Sequence, residues 1–89
     1  MGRITRNNIG TRPRNPDALP LMRHIGEQLL MARQDRQVTQ QEVADAISTS
    51  RCYLGMIENG HHAPSAMTLW KLGCYFQCPV SYFFNGYEE

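Results

Sequence analysis

The chain has 89 residues, of which 42% are hydrophobic, and a net charge of only +1, values that suit one small domain around one core. Its apolar runs fall far short of the roughly 20 residues that span a bilayer, and no apolar segment follows the N-terminal arginines as a signal peptide requires. The three cysteines lack the spacing of a disulfide framework, which argues against a secreted domain, so we expect a cytoplasmic protein with reduced cysteines.

Charge is divided unevenly along the chain. Residues 1–17 contain four arginines and one aspartate and carry +3, whereas residues 18–89 contain five basic and seven acidic side chains and carry −2. A globular part of that sign neutralises phosphate poorly. Any binding to nucleic acid must therefore depend on the N-terminal segment and on a few local arginines.

Residues 1–20 are predicted to form a flexible, basic N-terminal arm, because they mix glycine and proline with arginine and asparagine and show no helical or strand period. The basic residues of the arm are Arg3, Arg6, Arg12 and Arg14. Such an arm can follow phosphates or enter the minor groove of DNA, but a solvated leader with no specific role is an equal alternative. Residues 21–89 are assigned to one domain.

Five short helices are predicted in this domain, and the first has Met22, Ile25, Leu29 and Ala32 recurring on one face at helical spacing. Their bounds run from just after Pro20 to about Asp35, from Gln40 to about Ile47, from Arg51 to about Asn59, from just after Ser65 to before Pro79, and from Val80 to Phe84. No segment reads as a strand. The pattern predicts an all-α fold.

Local signals mark the corner between the second and third helices. Thr39 and Glu42 form the S/T-x-x-E pattern of a capping box, and Ser50 can cap the third helix. The link between the two helices has only three residues, which is too short for anything but a sharp turn. A pair of this kind exposes one helix for insertion into a partner, and the commonest partner is the major groove of DNA.

An ordered set of residues runs from about position 25 to position 84. It comprises Ile25-Gly26-Glu27, Leu29, Ala32-Arg33, Thr39-Gln40, Glu42-Val43-Ala44, Ser50-Arg51, Tyr53-Leu54, Ile57-Glu58-Asn59-Gly60, Pro64-Ser65, Thr68-Leu69, Lys71-Leu72 and Val80-Ser81. At this spacing the set resembles the lambda-repressor-like, Cro-like (XRE-type) helix-turn-helix DNA-binding domains. The resemblance implies five helices and a homodimer on double-stranded DNA, with the third helix of each subunit in the major groove.

The same resemblance implies roles for individual residues. Those expected at base edges are Ser50, Arg51, Cys52 and Met56. Those expected at backbone phosphates are Gln40, Thr49, Tyr53 and Asn59. Arg51 is the best suited to reading a base, because a guanidinium can pair bidentately with guanine O6 and N7. The resemblance also implies a structural ion pair between Arg33 and Glu58, for which a solvated surface pair is the alternative.

The chain departs from the family pattern at two kinds of position. Gln37 and Ser48 stand where the family usually has glycine, and a positive φ there would cost a non-glycine residue of order 1 kcal/mol. In the third helix, Cys52, Gly55 and Met56 replace the polar side chains that usually read bases. That surface can touch thymine methyls but offers few hydrogen bonds, and it would also suit a protein partner.

Two functions are consistent with these features. One is a sequence-specific transcriptional regulator that binds operator DNA and associates with the nucleoid in the cytoplasm. The alternative is a protein-binding regulator on the same scaffold, such as an antiactivator, an antitoxin or a phage-type modulator. The candidates for a dimer interface are the C-terminal aromatic residues Tyr82, Phe83, Phe84 and Tyr87, unless all of them fold back onto the first helix.

Other chemistry is not predicted. Cys74 and Cys78, with His61 and His62 upstream, make only a weak zinc pattern, and we interpret these cysteines as small core residues. Cys52 is a candidate redox switch, but it has no resolving cysteine within reach. Since no nucleophile, base and orienting group occur together, we predict no enzymatic activity, no cofactor and no bound metal.

Overall fold

The computed structural model describes residues 18–87 of the chain. In order, its elements are α1 (Ala18–Arg36), α2 (Gln40–Ala46), α3 (Arg51–Glu58), α4 (Ala66–Phe76) and a 3₁₀ helix (Val80–Phe84). The all-α prediction is confirmed. The fifth helix differs in type, since the five residues directly after Pro79 form a short 3₁₀ helix. None of the helices in this part of the chain is long and apolar enough to cross a membrane.

α1 begins at Ala18, two residues before Pro20, whereas the sequence pattern placed its start just after that proline. The reason is that the first four N–H groups of a helix have no partner within it, so a proline in the first turn loses no hydrogen bond. The four arginines of the predicted arm, Arg3, Arg6, Arg12 and Arg14, lie outside the described residues.

One hydrophobic core unites the four α-helices and the 3₁₀ helix. Its buried residues are Ile25, Leu29, Ala32, Val43, Ala44, Ile47, Leu54, Ile57, Leu69, Leu72, Phe76 and Phe83. They fall on the apolar stripes that the helical period predicts. No polar or charged residue between positions 18 and 87 is fully buried. The stability that the core provides is therefore not reduced by buried polar side chains that lack a hydrogen bond.

The helix starts are capped as the sequence indicates. Thr39 Oγ1 accepts from Glu42 N at 3.0 Å while Thr39 N donates to Glu42 Oε1 at 2.7 Å, which completes the capping box at α2. Ser50 Oγ accepts from Tyr53 N at 3.0 Å and so caps α3. Each cap supplies partners to backbone groups that a helix start leaves free.

Three residues other than glycine adopt left-handed backbone conformations. Gln37 has a φ of 57° and Ser48 a φ of 61°, so the positive φ considered at these two positions is present. Gln77, at the end of α4, also has a φ of 57°. Each costs about 1 kcal/mol relative to a residue without a Cβ atom.

α1 and α3 cross in close backbone contact at Gly26. A Cβ atom at this position would lie 2.7 Å from the carbonyl oxygen of Glu58 and closer still to that of Ile57. No side chain fits in that space. Because Gly26 has no side chain, the C-terminal end of α3 packs directly on the backbone of α1.

The C-terminal aromatic residues are divided between the core and the surface. Phe83 is fully buried, so the prediction that it belongs to a dimer interface is wrong. With three residues per 3₁₀ turn, Val80 and Phe83 share one face, so the half-buried Val80 packs against the core that contains Phe83. Tyr82 and Tyr87 are half-buried, and Phe84 is exposed.

The cysteines of the C-terminal half also differ from expectation. Cys74 is exposed rather than in the core, because it stands on the face of α4 opposite Leu72. Cys78 is half-buried and packs against the core. Burial raises the pKa of the Cys78 thiol, and the nearby Arg36 guanidinium offsets this only in part.

Candidate nucleic-acid interface

The corner between α2 and α3 is closed by backbone hydrogen bonds. Ser48 N donates to Asp45 O at 3.2 Å and Thr49 N donates to Ala44 O at 2.8 Å. This is the pattern of a Schellman motif, which requires a left-handed residue just after the helix, and Ser48 supplies it. The corner therefore sets the direction in which α3 leaves α2.

The N-terminal end of α3 is open to solvent. Ser50, Arg51 and Cys52 are exposed, whereas Met56, one turn further along, is half-buried. Ser50 Oγ already accepts the capping bond from Tyr53 N, which leaves its hydroxyl proton available to a ligand. Of the four residues predicted at base edges, the three most accessible therefore lie at the start of α3, at its N-cap and in its first turn.

The positive charge of Arg51 interacts unfavourably with the dipole of α3. It stands in the first turn of α3, where no acidic residue is present to balance the positive end of the helix dipole. Within residues 18–87, its guanidinium makes no hydrogen bond or ion pair. A cation at this position lowers helix stability.

The residues predicted at phosphates occupy different environments. Asn59 is exposed at the C-terminal cap of α3, and Thr49 is half-buried in the link before α3. Tyr53 is half-buried, and its hydroxyl lies 3.5 Å from Thr68 Oγ1 at the start of α4. Gln40, at the start of α2, is half-buried with its side chain turned toward α3.

Glu58 joins α1, α2 and α3 through its carboxylate. Arg33 donates to it twice, from Nε to Oε2 at 2.7 Å and from Nη2 to Oε1 at 3.2 Å. Gln40 Nε2 donates to the same Oε1 at 2.8 Å, and Arg33 Nη1 donates to Val38 O at 3.0 Å. The side chains of Glu58 and Arg33 are 5% and 17% exposed, so this is a desolvated, bidentate pair rather than a solvated surface pair.

An apolar face that the sequence analysis did not identify lies on α4. Met67 and Trp70 are 60% and 59% exposed, and Trp70 borders a groove of about 350 Å³ that Ser48, Cys74 and Tyr75 also line. The signal was present in the sequence, because positions 67, 70 and 74 share one helix face, opposite the core stripe of α4. We call Met67, Trp70 and Cys74 the α4 outer face.

The C-terminal segment is held to α1. His24 Nε2 lies 2.6 Å from Asn85 O, and the rings of His24 and Tyr87 lie 5.6 Å apart. Burial, with a contribution from the Asp35 carboxylate, raises the pKa of the Tyr82 phenol. Three of the four aromatic residues therefore pack at least partly on the domain, and Phe84 is the most accessible of them.

Histidine, cysteine and acidic side chains are the usual protein ligands of metal ions. Among the described residues, no three such side chains come close enough together to hold a metal ion. The chemistry of the exposed α3 surface is instead that of hydrogen bonding, charge and apolar contact.

Comparison with known sequences matches this part of the chain to one family. A family model described as Helix-turn-helix matches residues 29–83. The HTH-type transcriptional regulator SutR of Escherichia coli strain K12 is 32% identical over 65 residues, which cover 73% of this chain and 36% of SutR. The chain therefore corresponds to about a third of the length of that relative.

Solved structures share the arrangement of helices. An HTH_3 family transcriptional regulator from Vibrio cholerae superposes with a TM-score of 0.69 at 30% identity, over 74% of this chain and 37% of that protein. The restriction-modification controller protein C.AhdI from Aeromonas hydrophila superposes with a TM-score of 0.68 over 71% of this chain and 96% of its own. At 22% identity, the likeness to C.AhdI is evidence for the fold alone.

Proposed function

Because this chain belongs to the helix-turn-helix family, we propose that it regulates transcription by binding operator DNA as a homodimer, with α3 of each subunit in the major groove. The family is one of regulators and not of enzymes. The observation that carries the proposal is the exposed start of α3, where Arg51 is left without a protein partner among the described residues. A chromosome-binding protein of this kind acts in the cytoplasm, at the nucleoid.

The base contacts in this proposal come from the start of α3. Arg51 pairs with a guanine in the major groove, and the free hydroxyl proton of Ser50 reaches a base or phosphate beside it. Cys52 and Met56 add apolar contact to thymine methyls. The exposure of the first three residues and the half-burial of Met56 support a readout that is strongest at the N-terminal turn.

The phosphate contacts in this proposal come from around α3 and from the arm. Asn59, Thr49 and Tyr53 position the helix on the backbone without reading sequence. Residues 18–87 contain five basic and five acidic side chains, so they supply no net attraction to DNA. The four arginines before residue 18 then provide most of the non-specific affinity.

A gel shift on genomic fragments at two salt concentrations, with the full chain and with residues 1–17 deleted, tests this function. Specific retardation by the full chain at both salt concentrations supports it. The deletion should bind more weakly and with a flatter salt dependence, because fewer phosphates are neutralised. If the full chain retards no fragment at low salt, the proposal is wrong.

A protein-binding regulator is the second candidate, and the α4 outer face favours it. Two large apolar side chains more than half exposed on one short helix are unusual for an isolated domain and are typical of an interface. An antiactivator, antitoxin or phage-type modulator would use such a face against another protein. Regulation of transcription in the cell by a chain that retards no DNA fragment would favour this candidate.

A further inference from the structure

The ring of His62 is held in one orientation beside α3. Its Nδ1 lies 2.9 Å from the carbonyl oxygen of Ala63, and its ring meets that of Tyr53 edge-on, with 5.1 Å between the ring centroids. A carbonyl oxygen accepts hydrogen bonds and does not donate them, so the hydrogen of the neutral ring is on Nδ1. Nε2 of the neutral ring is therefore an acceptor, and no group within residues 18–87 hydrogen-bonds to it.

Protonation reverses the role of Nε2. Histidine gains or loses its charge between about pH 5 and about pH 8, and the charged ring has an N–H group at both nitrogens. A DNA phosphate offers only acceptor oxygens. Neutral His62 presents a lone pair to such a group, whereas charged His62 presents a positively charged donor. The free edge of this ring can therefore bind a phosphate only in its charged form.

His62 lies in the loop between α3 and α4, close to residues that are proposed to contact phosphate. It is exposed, it comes shortly after Asn59 in the chain, and it packs on Tyr53. An α-helix with its side chains is about 10–12 Å across and the major groove is about 12 Å wide, so a helix in the groove fills it. Groups that flank this helix then face the phosphates along the groove wall rather than the base edges.

The groups around His62 do not cancel the charge of its protonated ring. Tyr53 of α3 is neutral in this pH range, the hydroxyl groups at the start of α4 do not titrate, and His61 is the titratable neighbour in the loop. On the side of α1 the nearby charge is that of Arg23, since a Cβ atom on Gly60 would lie 2.9 Å from Arg23 Cγ. Within residues 18–87 neither histidine of the loop forms an ion pair with an acidic side chain.

We infer that His62 is a phosphate-binding residue that contacts the DNA backbone only when it is protonated, so that affinity for DNA rises as the pH falls. This inference rests on the proposed DNA binding and adds a contact and a pH response to it. The direction follows from linkage. Because DNA binds the protonated form better, lowering the pH favours the complex, and DNA in turn favours protonation.

The test is fluorescence anisotropy with the full chain on a selected duplex and on an unrelated duplex, at about pH 5.5 and at about pH 8. The dissociation constant should be about 5-fold to 150-fold smaller at the lower pH on both duplexes, because a phosphate contact does not depend on sequence. His62→Phe keeps an aromatic ring against Tyr53 but has no nitrogen, so it should lose most of this difference. Comparison with the parent at each pH cancels the effect of groups that titrate elsewhere in the chain.

His61→Phe is the matched control, because His61 is also exposed and titratable but makes no side-chain hydrogen bond within residues 18–87. Circular dichroism first establishes that each variant is folded at both pH values. Loss of the pH response in His62→Phe but not in His61→Phe, on both duplexes alike, supports the inference.

Three results would overturn the inference. An unchanged response in His62→Phe would assign the effect to another group, and the same loss in both variants would assign it to the general charge of the loop. A response confined to the selected duplex would show a base contact instead. If the parent chain binds neither duplex at either pH, the proposed function itself fails and this inference fails with it, which is a distinct result.

If His62→Phe does not fold, His62→Lys provides a second test. Lysine is charged at both pH values and has only donors. The variant should bind at about pH 8 as tightly as the parent binds at about pH 5.5, with little difference between the two conditions. A variant with the same pH response as the parent contradicts the inference.

Discussion

The binding role proposed for Arg51 conflicts with the stability of α3. Its positive charge faces the positive end of the α3 dipole, and no acidic residue in the first turn compensates for it. Removing the charge should therefore help the free protein and harm the complex. This opposite effect on two measurable quantities separates a binding residue from a structural one.

We predict that Arg51→Ala weakens binding to a selected DNA site by about 1–3 kcal/mol, because one bidentate base contact is lost. The free energy of unfolding should rise by about 0.3–1 kcal/mol as the unfavourable charge is removed. Fluorescence anisotropy and urea unfolding measure the two quantities. Equal affinity of the variant and the parent would remove the base-reading role from Arg51.

Glu58 is predicted to behave in the opposite way, as a residue that stability requires. Glu58→Gln keeps the shape but leaves the half-buried Arg33 without its counter-charge and sets an amide against the Gln40 donor. The free energy of unfolding should fall by about 3 kcal/mol. Glu27→Gln is the control, since Glu27 is exposed on α1, and its effect should stay within about 0.5 kcal/mol. Two variants that unfold at the same urea concentration would contradict this role.

At the scale of elements, the crossing of α1 and α3 depends on Gly26. Gly26→Ala places a methyl group against the backbone carbonyls of α3, which cannot move aside as a flexible side chain can. We predict a loss of several kcal/mol in the free energy of unfolding, or no folding at all. The measurement is urea unfolding followed by circular dichroism.

The matched control is the same substitution at Gly55, also within a helix. There the new methyl group makes an ordinary contact at 3.7 Å, and alanine favours the helix, so Gly55→Ala should be more stable than the parent by about 1 kcal/mol. A Gly26→Ala variant as stable as the parent would show that the crossing is not tight. A destabilised Gly55→Ala variant would show that the space between Gly55 and Gln40 is too small for a methyl group.

The elements themselves could be predicted because their signals are local. The capping box at Thr39 and Glu42 and the cap at Ser50 each lie within four residues of the groups they bind, and the helical period marks the buried faces. The start of α1 was placed too late because Pro20 is compatible with any position in a first turn. Cys74 is exposed although cysteine is often a core residue, because its position on α4 and not its residue type determines its burial.

The site could be predicted only in part, since its contacts depend on tertiary structure. The exposure of Arg51 and Cys52 follows from their position on α3 and was expected. The bond between Gln40 and Glu58 joins residues 18 positions apart and exists only because of the angle between α2 and α3. The α4 outer face was not predicted, although the helical period places Trp70 opposite the core stripe of α4.

At the scale of the whole molecule, the proposed homodimer needs a surface, and Phe84 is the most exposed of the C-terminal aromatic residues. We predict that Phe84→Glu shifts the chain from dimer to monomer in sedimentation equilibrium, because two like charges would meet across a two-fold interface. Met67→Glu is the control, since Met67 is equally apolar and more exposed but lies on the α4 outer face.

The two variants together identify the interface. Dissociation by Phe84→Glu alone supports the C-terminal segment as the dimer surface. Dissociation by Met67→Glu alone would assign that surface to α4 instead, and would leave the C-terminal aromatic residues with a purely structural role.

The most direct test of the central claim is the ratio of two dissociation constants for the full chain. One is measured on a duplex selected from a random library and the other on an unrelated duplex of the same length, at the same salt concentration. If α3 reads sequence, the ratio for the parent chain should be at least about a thousand. A ratio near one, at any salt concentration that permits binding, would show that α3 reads no sequence and that the chain is not a sequence-specific regulator.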